Sequence, residues 1–150
     1  MIPLIVLIAV TLLARGAGRL GVRWFDSWPA ALRLGLAVMF CFTAAAHFNS
    51  MRADMVRMVP PWVPNPELMV TFTGIAEVLG GIGLLIPATR VAAAVGLMLL
   101  LLSVLPANVH AALADVPLRG QPPMALVPRV LLQVVFLALV WWSGISRRRD

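Results

Sequence analysis

The stretch Val70-Thr-Phe-Thr-Gly-Ile-Ala-Glu-Val-Leu-Gly-Gly-Ile-Gly-Leu-Leu-Ile-Pro87 decides the fold: it is an apolar run interrupted by one carboxylic acid, Glu77. If the run is a helix crossing a bilayer, Glu77 sits roughly 15 Å below the end at Glu67, at about 1.5 Å of rise per residue, close to mid-membrane. An ionisable group at that depth costs a few kcal/mol or more unless it is paired, neutral or facing a wet cavity, so it marks a candidate functional site. The remaining residues are read by asking what meets it.

The rest of the chain fits the same environment. Over 150 residues it is 61% hydrophobic and 12% charged, with a mean hydropathy of +0.96. This composition indicates an all-α, multi-pass transmembrane helical bundle and leaves no room for a soluble catalytic domain. Five apolar segments can be drawn, about Ile2 to Gly18, Ala30 to Phe48, Glu67 to Pro87, Val91 to Ala107 and Met124 to Trp142. The first is short enough to suggest a signal peptide, but it lacks a basic leading region and a clear Ala-x-Ala cleavage site, and we read it as a retained helix. The chain is expected to form one membrane domain over 1–150, with an additional helix and basic connection in 1–28 and a core in 29–144.

The net charge of +6 comes entirely from arginine. These arginines flank apolar runs, so they orient the protein in lipid and do not signal nucleic acid. Arg15, Arg19, Arg23 and Arg33 surround the first connection, Arg90 follows Pro87 in a tight turn, and Arg147, Arg148 and Arg149 follow the last apolar segment. Five spans put all of these on one side, so the positive-inside rule predicts a cell-membrane protein with an extracytoplasmic N-terminus and a cytoplasmic C-terminus. Arg52, Arg57 and Arg119 fall on the other side, balanced by Asp54, Glu67 and Asp115. Trp24, Trp28, Trp62, Trp141 and Trp142 lie near span ends, as an aromatic belt requires. The long connection 49–66 contains Pro60-Pro61-Trp62-Val63-Pro64-Asn65-Pro66, which cannot be a regular helix and is expected to form a rigid extracytoplasmic flap.

Under this topology the polar residues of the spans gather in the outer half. Thr43 and His47 share a face of the second span, and Thr73 and Glu77 share a face of the third. Ser103, Asn108 and His110 lie toward the outer end of the fourth, where Pro106 is expected to bend it. Arg129 and Gln133 share a face of the fifth. The expected bond is an ion pair between Glu77 and Arg129, with Gln133 serving the remaining lone pairs of the carboxylate. The bland alternative is that the pair only locks two helices together. We take Glu77 and Arg129 as candidate catalytic residues, with His47, Thr73, Asn108 and Gln133 binding a ligand.

Other chemistry is weakly signalled. Axial haem ligation by His47 and His110 lacks any supporting signal, and depth separates both imidazoles from Glu77, so no metal site is assigned. Met51, Met55 and Met58 fit an amphipathic segment on the outer leaflet better than a soft-metal site. Cys41, the sole cysteine, is expected to be an inert core residue, and a self-contained disulfide mechanism is excluded.

The sequences Ala46-His47-Phe48, Met55-Val-Arg-Met-Val-Pro-Pro-Trp-Val-Pro64, Thr73-Gly-Ile-Ala-Glu-Val-Leu-Gly-Gly-Ile-Gly-Leu-Leu-Ile-Pro-Ala-Thr-Arg90, Pro106-Ala-Asn108 and Arg129-Val-Leu-Leu-Gln133 together resemble the DoxX family of small membrane proteins. The resemblance covers about residues 34 to 142 and implies a four-helix core, to which the N-terminal segment is an addition. It implies association with membrane redox enzymes and places His47, Glu77, Asn108, Arg129 and Gln133 among family-type polar positions. The lack of a cysteine pair weakens any analogy to thiol-handling members. The leading expectation is a redox-associated subunit that binds quinone or a similar small amphipathic molecule in an outer-half pocket. Such a protein is at most part of an oxidoreductase without its own redox centre, since no cofactor motif is visible, and it needs a redox partner protein. A membrane scaffold recruiting a partner and a proton-coupled small-molecule transporter are the alternatives.

Overall fold

The computed structural model describes residues 2–117, 120–122 and 124–146. The charged tail at 147–149 and Arg119, both used in the orientation argument, lie outside these residues. Among the described residues there are six α-helices: α1 (Ile2–Arg19), α2 (Trp28–Ala44), α3 (Arg52–Met58), α4 (Pro66–Leu85), α5 (Arg90–Leu113) and α6 (Leu126–Gly144). All but α3 are long and apolar enough to cross a membrane, α2 being continued to Phe48 by a 3₁₀ turn. The all-α membrane bundle expected from the sequence is therefore the architecture observed.

Local chemistry sets the helix boundaries. The Ser27 hydroxyl caps α2 by accepting from the Ala30 amide at 3.3 Å, with Pro29 in the first turn where its missing N–H costs nothing. Pro66 opens α4 in the same way after Asn65, which takes a left-handed conformation with φ 50°. The turn from α4 to α5 is closed by Thr89, whose hydroxyl donates to the Gly83 carbonyl at 3.0 Å. Pro106 does not end α5, which runs on to Leu113 and so carries Asn108 and His110 as helical residues.

Helices α2, α4, α5 and α6 form the core bundle, and α1 packs on the outside of α2. A Cβ at Gly35 would collide with Thr11 Oγ1 and the Leu7 carbonyl, so glycine there lets α1 approach α2. The bundle is dry at the end where α4 turns into α5, around Leu36, Leu84, Ala94, Leu97 and Val140. Arg33, 9% exposed, reaches across this end to donate to the Ser143 carbonyl at 3.0 Å. A cation at the C-terminus of α6 serves an otherwise unpaired carbonyl and offsets the negative end of the helix dipole. Large apolar side chains such as Leu13, Leu79, Leu99 and Val127 point outward, as lipid requires. Cys41 is also exposed, a correction to its expected place in the core: it falls on the lipid-facing side of α2.

Candidate functional site

At the end of the bundle opposite the dry core, a cavity of about 520 Å³ opens between α2, α4, α5 and α6. Thr43, His47, Thr73, Glu77, Asn108 and Gln133 all line it, so every ligand-binding residue expected from the sequence, and Glu77 with them, meets one space. Most of the remaining wall is apolar, including Met39, Phe40, Val70, Leu101 and Phe136.

The polar groups form two sets on facing walls. On the α2–α4 wall, Thr43 Oγ1 donates to Glu77 Oε2 at 2.7 Å and lies 3.1 Å from the Phe40 carbonyl. A hydroxyl has one proton, so the shorter contact takes it. His47, 4% exposed, directs Nδ1 at the Thr43 carbonyl at 3.4 Å. A carbonyl can only accept, so Nδ1 carries the hydrogen and Nε2 is left as the ring atom able to meet a ligand. Gly74 makes room for this imidazole: a Cβ there would stand 2.7 Å from His47 Cβ. The hydroxyl of Thr73 is spent on its own helix, at 3.0 Å from the Met69 carbonyl and 3.1 Å from that of Val70.

On the α5–α6 wall the bonds run in series. Arg129 Nη1 donates to Asn108 Oδ1 at 3.1 Å, Asn108 Nδ2 donates to Gln133 Oε1 at 3.4 Å, and Gln133 Nε2 donates to the Leu101 carbonyl. The last bond falls one residue before Leu102, whose carbonyl loses its helical partner at Pro106. Gln133, 7% exposed, thus braces α5 beside its proline as well as lining the cavity.

The ion pair expected between Glu77 and Arg129 is not formed. Glu77 takes its hydrogen bond from Thr43, and Arg129 turns to Asn108. Arg129 does not line the cavity; it touches the site through Asn108. The reason lies in the helix arrangement: α4 packs on α2 and α5, whereas α6 packs on α5 and α2, so α4 and α6 stand across the cavity from each other.

The 49–66 connection covers the cavity, and Met55, Met58, Val59, Pro60, Trp62 and Val63 all contribute to its wall. Met55 and Met58 therefore face the cavity, a correction to their expected place on the leaflet surface. Two side chains hold this flap, and neither role was read from the sequence. Arg52 donates to the carbonyls of His47 and Glu67, both at 3.0 Å, and to the Thr71 hydroxyl at 2.9 Å. His110 Nδ1 donates to the Met58 carbonyl at 3.1 Å. His110 is thus a flap contact and does not line the cavity. The signal for Arg52 was a cation immediately after a span end, which sequence reading assigns to topology.

Among the described residues, no group of three or more His, Cys, Asp or Glu side chains is arranged to hold a metal ion. No curated protein and no solved structure matches the chain at a significant level. A family model described as "Domain of unknown function (DUF8561)" matches residues 36–144, which takes in most of α2 and all of α3 to α6 and leaves out α1. The chain belongs to this DUF8561 family.

Proposed function

We propose that the chain is a redox-associated membrane subunit whose cavity binds a quinone or a comparable small amphipathic ring. The observation that carries this reading is the convergence of Glu77, Thr43, His47, Asn108 and Gln133 on one otherwise apolar space. A volume of about 520 Å³ lies within the range of small-molecule sites, which combine apolar walls with a few placed polar groups. A quinone carbonyl needs donors, and Asn108, held in place by Arg129, supplies one. Reduction to the quinol takes two electrons and two protons. His47 Nε2 and Glu77 are suited to exchange the protons, while the electrons come from a partner protein. The resemblance of residues 34–142 to DoxX proteins supports the redox association. The arginine distribution supports an extracytoplasmic N-terminus and a cytoplasmic C-terminus, with the cavity opening on the outer side.

The test is an organic extract of the purified protein assayed for quinone. Quinone should copurify with the wild type and be lost in Glu77→Gln at unchanged helicity. Proton-coupled solute flux in liposomes would replace the proposal with a transporter. A Glu77→Gln, Asn108→Leu double variant that retains its protein partner and its cellular phenotype would replace it with a scaffold.

A further inference from the structure

Outside the bundle, between α4 and α5, a second and apolar space of about 760 Å³ runs along the lipid-facing side. It extends from Phe72 and Ser103 at one end to Ile86 and Thr89 at the other. From Phe72 to Ile86 this is roughly 21 Å, at about 1.5 Å per helical residue. Phe72 and Ser103 line both this groove and the cavity that holds Glu77, so these two side chains stand between the two spaces.

Gly96 forms part of the groove floor. Glycine weakens a helix interior, and packing usually explains its presence there. At Gly80 a Cβ would approach Leu97 to 2.5 Å, and at Gly83 it would stand 2.7 Å from Ala93, so those two are packing positions. A Cβ at Gly96 would meet nothing within 4 Å, yet Gly96 lines the groove. The open position leaves the floor of the groove clear for a bound chain.

Resting on the reading of the cavity as a quinone-type site, we propose that its ligand carries a long apolar tail, which lies in the α4–α5 groove over Gly96 while the ring enters the cavity from the bilayer between Phe72 and Ser103. Lipid tails are as apolar as the groove, so the tail's gain comes from close packing along the groove and not from hydrophobic transfer. The groove aligns the molecule with the opening and selects tailed ligands over compact polar ones.

The test uses the full chain in phosphatidylcholine nanodiscs, with decylubiquinone and the same benzoquinone ring bearing no tail as probes. Binding is read by quenching of tryptophan fluorescence, because Trp62 lines the cavity. For each probe, the ratio of variant to wild-type affinity cancels its partitioning into lipid. Gly96→Leu should weaken decylubiquinone by about tenfold and change the tailless ring by less than about twofold, whereas Glu77→Gln weakens both. Leu99→Phe, which narrows the groove from its exposed rim without adding a tryptophan, should repeat the selective loss and keeps the test open if Gly96→Leu fails to fold. Equal effects of the groove variants on both probes, or none on either, overturn the tail assignment while leaving the cavity reading in place. Failure of the wild type to bind either probe overturns both. Conversion of a dimer to a monomer by Gly96→Leu would show that a second copy covers the groove and would also overturn the proposal.

Discussion

Removing the Thr43 hydroxyl should destabilise the bundle through Glu77, and the size of the effect follows from the geometry. The two side chains meet at 2.7 Å between α2 and α4, with the contact partly buried. A net hydrogen bond contributes roughly 0.5–1.5 kcal/mol, and one to a charged group about 1.5–3 kcal/mol. Between membrane helices the measured average is lower, about 0.6 kcal/mol with a maximum near 1.7 kcal/mol, because the unfolded chain in lipid also finds partners. A coupling of about 1 kcal/mol is therefore expected. Thr43→Val alone does not read this coupling, since the added methyl packs into an apolar wall and offsets part of the loss. A double-mutant cycle of Thr43→Val with Glu77→Leu, followed by reversible unfolding in mixed micelles, isolates it. A coupling below about 0.3 kcal/mol, within the range of non-interacting sites, would refute the contact. The matching cycle of Glu77→Leu with Arg129→Met should give no coupling, since no ion pair joins them. If the second cycle carries the larger value, the pairing expected from sequence governs the site and the geometry described above is wrong.

Gly74→Ala should push the His47 imidazole out of place, costing about 1–3 kcal/mol as an overpacked site does and weakening quinone binding, as read by thermal unfolding and fluorescence quenching. Arg33→Met should cost about 1–3 kcal/mol by freeing the Ser143 carbonyl, yet leave quinone affinity unchanged, because it acts at the dry end of the bundle. Arg52→Met should release the flap, raising hydrogen exchange in 52–63 and speeding ligand dissociation without abolishing binding. Arg129→Met should weaken binding less than Glu77→Gln does, since it removes only the bond that orients Asn108.

The membrane bundle was legible in the sequence because lipid imposes one strong rule: every backbone polar group must be satisfied within its own helix, so spans appear as long apolar runs. Depth along those runs also brought His47, Thr73, Glu77, Asn108 and Gln133 into the same half of the bundle, since a rise of about 1.5 Å per residue is independent of what the helix packs against. Pairing did not follow from depth. Glu77 and Arg129 are complementary in charge, but whether they touch depends on which helices are neighbours and how each is rotated, and those are set by close contacts such as Gly35 over Leu7 and Thr11 or Gly74 over His47. The tertiary structure alone gave the carboxylate to Thr43, turned Arg129 toward Asn108, buried Arg33 as a helix cap and exposed Cys41. Sequence spacing fixes where a side chain stands along its own axis, while contacts across axes depend on packing between distant segments, which no local pattern encodes.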